Sequence, residues 1–148
     1  MKITTGLLCD FASVREGLLF VVGGGITRVR RTQYPAALDC SVALLVELHQ
    51  MELTRPHELE MRVLGSDGED VASIKAGFQA AGTVDLDVGE NLPIPVVVDL
   101  RGAALPKPGR YSIEASIDGS HQLTLSFRAM PAMATEGPAP GHPMPSGD

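Results

Sequence analysis

From residue 111 to residue 127 the chain reads Y-S-I-E-A-S-I-D-G-S-H-Q-L-T-L-S-F, apolar at every second position on either side of Asp118-Gly119. A period of two marks a strand with one buried face, because successive side chains point to opposite sides. Two such runs joined by Asp-Gly predict a β-hairpin. The pattern recurs upstream. In residues 57–64, Leu59, Met61 and Val63 alternate with Glu58, Glu60 and Arg62, and Ser66-Asp67-Gly68-Glu69 then leads into residues 71–78. In residues 41–49, Val42, Leu44, Val46 and Leu48 alternate with Ala43, Leu45, Glu47 and His49. The first half of that run is apolar on both faces, which predicts a central position in a sheet.

Side-chain parity separates the two Asp-Gly turns. A two-residue loop at Asp67-Gly68 sets Val63 against Ala72, Met61 against Ile74 and Leu59 against Ala76, apolar on apolar, as the favoured type I′ hairpin requires. A two-residue loop at Asp118-Gly119 would instead oppose Ile113 to Thr124. One extra residue flips every side chain, so the pattern predicts a three-residue loop, Ile117-Asp118-Gly119, with Gly119 left-handed. Ile113 then faces Leu123 and Tyr111 faces Leu125.

Residues 2–9 predict an opening strand with Ile3, Thr5, Leu7 and Cys9 on one face; residues 10–17 read as a turn or one short helical turn. The short apolar run 18–22 predicts a buried strand, and Gly23, Gly24 and Gly25 end it in a bulge, a sharp bend or a close backbone contact. Further strands are expected over residues 26–30 and 96–100. No stretch has the 3.6-residue period of an amphipathic helix. About eight strands with Gly, Pro and Asp between them predict an antiparallel β-sandwich over residues 1–129, immunoglobulin-like or jelly-roll-like. Residues 130–148, M-P-A-M-A-T-E-G-P-A-P-G-H-P-M-P-S-G-D, are rich in Pro, Gly and Ala and read as a disordered tail.

Composition narrows the function more than it defines it. The 148 residues carry a formal charge of −6, two units of which come from Glu136 and Asp148 in the tail. An acidic domain repels phosphate backbones, so nucleic acid is an unexpected partner. No apolar stretch approaches the ~20 residues of a membrane helix. The opening M-K-I-T-T-G-L-L-C-D lacks the apolar run of a secretory signal, which leads to the expectation of a cytoplasmic protein. Cys9 and Cys40 lack C-x-x-C spacing. They read as buried free thiols in a reducing compartment, with a bridge between neighbouring strands as the alternative.

Candidate chemistry is sparse. His49 and His57 flank residues 50–56, and Glu47 shares the face of His49; the three form a weak candidate metal trio, since zinc needs three or four converging ligands. No G-x-S-x-G elbow and no P-loop ending are present, so neither a catalytic residue nor a cofactor is expected. Arg28, Arg30 and Arg31 form the single basic cluster. It reads as a solvated edge that resists aggregation, or as a contact for an anion or an acidic partner. The expected function is a non-enzymatic interaction or accessory module with a protein partner, a second copy included. The alternative is a small-ligand or metal-binding sandwich working at the end near His49 and His57. A flat exposed apolar edge favours the first reading, and a concave pocket with converging polar groups the second.

Residues 7–28, L-L-C-D-F-A-S-V-R-E-G-L-L-F-V-V-G-G-G-I-T-R, with Pro56-His57-Glu58-Leu59 and Pro108-Gly109-Arg110-Tyr111 further on, carry a resemblance. The chain resembles, over roughly residues 3–128, a group of small uncharacterised bacterial proteins with a C-D-x-A…G-G-G-I opening and a P-G-x-Y final hairpin. The resemblance implies a β-sandwich in a bacterial cytoplasm and brings no activity, cofactor or catalytic residue.

Overall fold

Every period-two run of the chain forms a strand. A computed structural model describes residues 1–80 and 85–132. Among them lie β1 (Lys2–Arg15), β2 (Leu18–Gly24), β3 (Arg28–Arg31), β4 (Ala36–Ala37), β5 (Ser41–Leu48), β6 (His57–Gly65), β7 (Asp70–Phe78), β8 (Leu92–Asp99), β9 (Ala104–Leu105), β10 (Gly109–Ile117) and β11 (Ser120–Pro131), with one 3-10 turn, Gln50–Glu52. The fold is all-β. One sheet has the order β2-β1-β5-β8 and a second the order β3-β11-β10-β6-β7, while β4 and β9 form a small pair of their own. Eleven strands thus stand where about eight were expected, two of them only two residues long.

Alternation explains how the two larger sheets meet. Val42, Leu44, Val46 and Leu48 of β5 share one apolar core with Leu59, Met61 and Val63 of β6 and with Tyr111, Ile113, Ala115 and Ile117 of β10. β5 lies between β1 and β8, the central place that its two-sided apolar pattern predicts. The sheets approach closely at Gly6, where a Cβ would collide with Leu123 of β11 and meet Leu44.

The two Asp-Gly hairpins exchange the loops that parity suggested. Ile117 stands opposite Ser120, with Asp118 and Gly119 at φ 49° and 81°, so this loop has two residues with positive φ, as a type I′ turn requires. The odd residue sits in the strand instead. Ser116 pairs with His121 and Ala115 with Leu123, which leaves Gln122 as a bulge. Beyond it Ile113 faces Leu125 and Tyr111 faces Phe127, displaced by two positions from the expected pairing but on the same face. At Asp67-Gly68, the Gly65 N–H donates to Glu69 O (2.9 Å) and the Gly68 N–H to Gly65 O (3.0 Å). The loop is therefore Ser66-Asp67-Gly68, with Gly68 at φ 81°. Leu64 pairs with Asp70 and Val63 with Ala72, making Val71 the extra residue, and the expected pairs Met61–Ile74 and Leu59–Ala76 form beyond it. Core parity counts residues between two core positions and is blind to whether the odd one lies in the loop or in a bulge.

Three further expectations are corrected. Residues 10–15 continue β1, and the reversal is made by Glu16-Gly17 at φ 51° and 71°. The run 18–22 is not buried: Leu18, Phe20 and Val22 are about half-exposed or more, because β2 lies along the part of β1 that extends past β5. Met130 and Pro131 belong to β11 rather than to the tail, since the Tyr34 hydroxyl holds Met130 O at 2.7 Å and the Ala132 N–H donates to Arg31 O at 2.8 Å. The rest of the predicted tail, residues 133–148, lies outside the described residues.

Candidate functional site

The sheet end near His49 and His57 is built by the 3-10 turn between β5 and β6. His49 caps it, its Nδ1 accepting the Met51 N–H at 3.3 Å while its own N–H donates to Glu52 Oε2 at 2.8 Å. His57 opens β6 and is buried. Its Nδ1 lies 2.7 Å from Asp118 Oδ2 and its Nε2 2.7 Å from Glu52 O. Both ring nitrogens are therefore engaged in holding loops together. Glu47 accepts from Asn91 Nδ2 at 2.6 Å and shares a depression of about 230 Å³ with His49 and Asn91. The metal trio Glu47, His49 and His57 is thus not assembled, because both ring nitrogens of His57 are taken up by Asp118 and by Glu52 O. Among the described residues no three His, Cys, Asp or Glu side chains are grouped to hold a metal ion. Cys9 and Cys40 are buried and unbridged. Burial pushes the Cys40 thiol up to about 11, and burial first, then the Asp10 charge, raises that of Cys9.

The glycine triplet serves the backbone. Gly23 and Gly25 have φ 63° and 87°, and a Cβ on Gly24 would crowd Leu7 and Val21. The Gly25 and Ile26 N–H groups both donate to Leu8 O at 2.9 Å. The register runs unbroken from Phe11–Val22 to Cys9–Gly24, so the triplet makes a bend and not a bulge. It carries the chain from the first sheet into β3 of the second.

The basic cluster divides. Arg31 is spent on structure, its guanidinium donating to Ala37 O at 3.0 Å, Arg30 O at 2.8 Å and Leu38 O. Arg28 and Arg30 stay exposed on either side of buried Val29. Arg28 is brought beside two arginines that the sequence reading missed. It is in register with Arg128 of β11, which is in register with Arg110 of β10. Strand parity held the signal, since Arg110 and Arg128 each adjoin a buried aromatic residue, Tyr111 and Phe127, and so face outward on paired strands.

The β1–β2 hairpin is the other unusual surface. β1 pairs with β5 only as far as Cys9–Ser41, yet with β2 as far as Arg15–Leu18. Its distal half is therefore a two-stranded arm. Phe11 is opposite Val22, Ser13 opposite Phe20 and Arg15 opposite Leu18, which gathers four large apolar side chains on one face. Their exposures are Phe11 50%, Val22 60%, Phe20 49% and Leu18 62%. The other face carries Val14 and Val21, 44% and 37% exposed. A continuous apolar run reads as a buried strand in sequence; here Leu19 packs on the small cluster of Cys9, Ala12 and Ala43 with Val97, while Leu18, Phe20 and Val22 stay exposed.

Among the described residues no helix is long and apolar enough to cross a membrane. No curated protein matches the chain. A family model does match it, over residues 4–130, and the chain belongs to that family, DUF6941, a family of unknown function.

Proposed function

We propose that the protein is a non-enzymatic interaction module that associates with a second copy of itself through the open edge of β2. The observation that carries this reading is the apolar arm, large side chains exposed on both faces of a hairpin. A lone two-stranded hairpin is marginally stable in water, and an exposed apolar patch marks an interaction site. The edges of the sheets support the same partner. β3 is lined by Arg28, Arg30 and Arg31, β7 by Asp70 and Lys75, and β8 by Pro93 and Pro95. Charge and proline are devices that prevent edge pairing. β2, L-L-F-V-V-G-G, has neither. Antiparallel pairing of one strand with its own copy is isologous. Centred on Phe20, it sets Leu18 against Val22 and Leu19 against Val21, apolar on apolar throughout.

The scaffold of this reading is a β-sandwich of the immunoglobulin-like or jelly-roll-like kind, supported by the core that the two sheets share. A bacterial cytoplasm is the proposed setting, supported by two unbridged thiols. Sedimentation equilibrium tests the association. The wild type should be a dimer at high micromolar concentration, and Phe20→Lys a folded monomer with an unchanged circular dichroism spectrum. A wild type that stays monomeric, or a dimer that survives Phe20→Lys, overturns the proposal.

A further inference from the structure

We propose that the row Arg28–Arg128–Arg110 on the outer face of the five-stranded sheet binds a small oxyanion carrying several charges, of the oligophosphate class. This site lies on the opposite sheet from the β2 edge and does not depend on the association proposed there.

The register brings the three together: Arg28 beside Arg128 across a parallel pair, and Arg128 beside Arg110 across an antiparallel one. Neighbouring strands stand about 4.8 Å apart, so the guanidinium stems rise side by side over roughly 10 Å. Like charges set directly opposite on a sheet repel. Three other cations of the chain are paired: Arg62 holds Asp70 at 2.7 Å, Lys75 lies 3.5 Å from Glu58, and Arg101 holds Asp99 at 3.0 Å. Arg28, Arg110 and Arg128 have no such partner among the described residues. Three adjacent unneutralised cations on an acidic protein are a repulsive arrangement that an anion would relieve.

The surroundings define the class of anion. The row borders a concavity of about 650 Å³ that Ser66, Ser112 and Ser126 also line. Ser112 stands directly opposite Ser126, one row from the arginines. Hydroxyls beside planar guanidinium forks suit the oxygens of phosphoryl groups, which Arg grips through two parallel hydrogen bonds. The two nearby aromatic rings, Tyr111 and Phe127, stack on each other at 5.4 Å and are buried, so no ring is left as a platform for a base or a sugar. A row of cations, rather than one cation in a pit, fits a chain of linked phosphoryl groups better than a lone phosphate.

Calorimetric titration of the full chain with tripolyphosphate, pyrophosphate and inorganic phosphate at constant ionic strength tests the site. Affinity should fall in that order. Arg128→Gln, which removes the middle of the row, should weaken tripolyphosphate by about tenfold or more, the scale of one charged hydrogen bond, while Arg101→Gln should leave it unchanged. A second readout is independent of any ligand. In dilute anion-free buffer Arg128→Gln should melt at a higher temperature than the wild type, because repulsion is relieved, and tripolyphosphate should raise the melting temperature of the wild type more than that of the variant. Equal binding by Arg128→Gln, or no binding of any of the three anions, overturns the proposal. Binding of a polyglutamate peptide in preference to tripolyphosphate overturns it in favour of an acidic protein partner.

Discussion

His57 Nδ1 and the Asp118 carboxylate lie 2.7 Å apart, tying the first residue of β6 to the turn between β10 and β11. The other carboxylate oxygen accepts the Glu58 N–H at 2.9 Å, and the Asp118 N–H donates to Glu58 O at 2.9 Å. One side chain at φ 49° therefore closes a hairpin and anchors a neighbouring strand. Asp118→Ala removes the acceptor of a buried ring and of a backbone donor, and should cost roughly 2 kcal/mol. Asp118→Asn keeps one acceptor and tolerates the left-handed backbone, so it should cost less. Urea unfolding of the two variants checks the order.

The same carboxylate sets a pH dependence. The His57 hydrogen bond first, then that from the Glu58 backbone, holds the Asp118 carboxyl below its usual range. A depressed folded pKa gives a contribution that is full above the unfolded value of about 3.9 and is lost as the pH falls through the folded one. The stability gap between wild type and Asp118→Asn should therefore narrow on acidification below about pH 4. A gap constant across that range would mean that folding does not lower the Asp118 pKa.

Gln122 is the extra residue of the final hairpin, and deletion exposes its role. Without it, β11 joins the two-residue turn without a bulge, and Ala115–Leu123, Ile113–Leu125 and Tyr111–Phe127 still meet. The deletion should cost about 1 kcal/mol or less, as for a neutral surface change. Deleting Thr124 leaves the bulge and turns Leu125 and Phe127 outward, at about 2 kcal/mol for each core side chain exposed. Thermal melts of the two deletions distinguish a bulged strand from a three-residue loop.

Gly6 and Leu123 test the packing of sheet on sheet. The space a Cβ would need at Gly6 is filled by Leu123 and Leu44, so Gly6→Ala should destabilise by about 1–3 kcal/mol. Leu123→Val beside it should recover part of that loss, and a double-mutant cycle measures the coupling.

Buried, unbridged Cys9 and Cys40 should resist thiol reagents in the native protein. Burial disfavours both thiolates, and the thiolate is the reactive form. Ellman titration should find two free thiols, slow before denaturation and fast after it.

Most of the strands were legible because burial writes a period of two into the chain. The pairings Val63–Ala72, Met61–Ile74 and Leu59–Ala76 follow from that alternation once the turn is placed at Asp67-Gly68. The bulges at Gln122 and Val71 were not legible, since a core pattern fixes the parity of a hairpin and not the position of its odd residue. The exposure of Leu18, Phe20 and Val22 was hidden for a related reason: an apolar run carries no mark of whether something covers it. The arginine row was half visible. Arg28 stands out in sequence, but its neighbours Arg110 and Arg128 are distant in the chain and meet it only through the parallel pairing of β3 with β11. His57 misled, because a histidine at a strand end reads alike whether it turns to a metal or to a carboxylate.

Amide hydrogen exchange along β2, followed as the protein is diluted, tests the central claim most directly. The amides of residues 18–22 that point away from β1 have no strand to bond among the described residues of one copy. If β2 pairs with its own copy, those amides are protected at high concentration and lose protection together as the dimer dissociates. If they exchange as freely at high concentration as at low, the arm has no second copy on it and the association proposed for β2 does not occur.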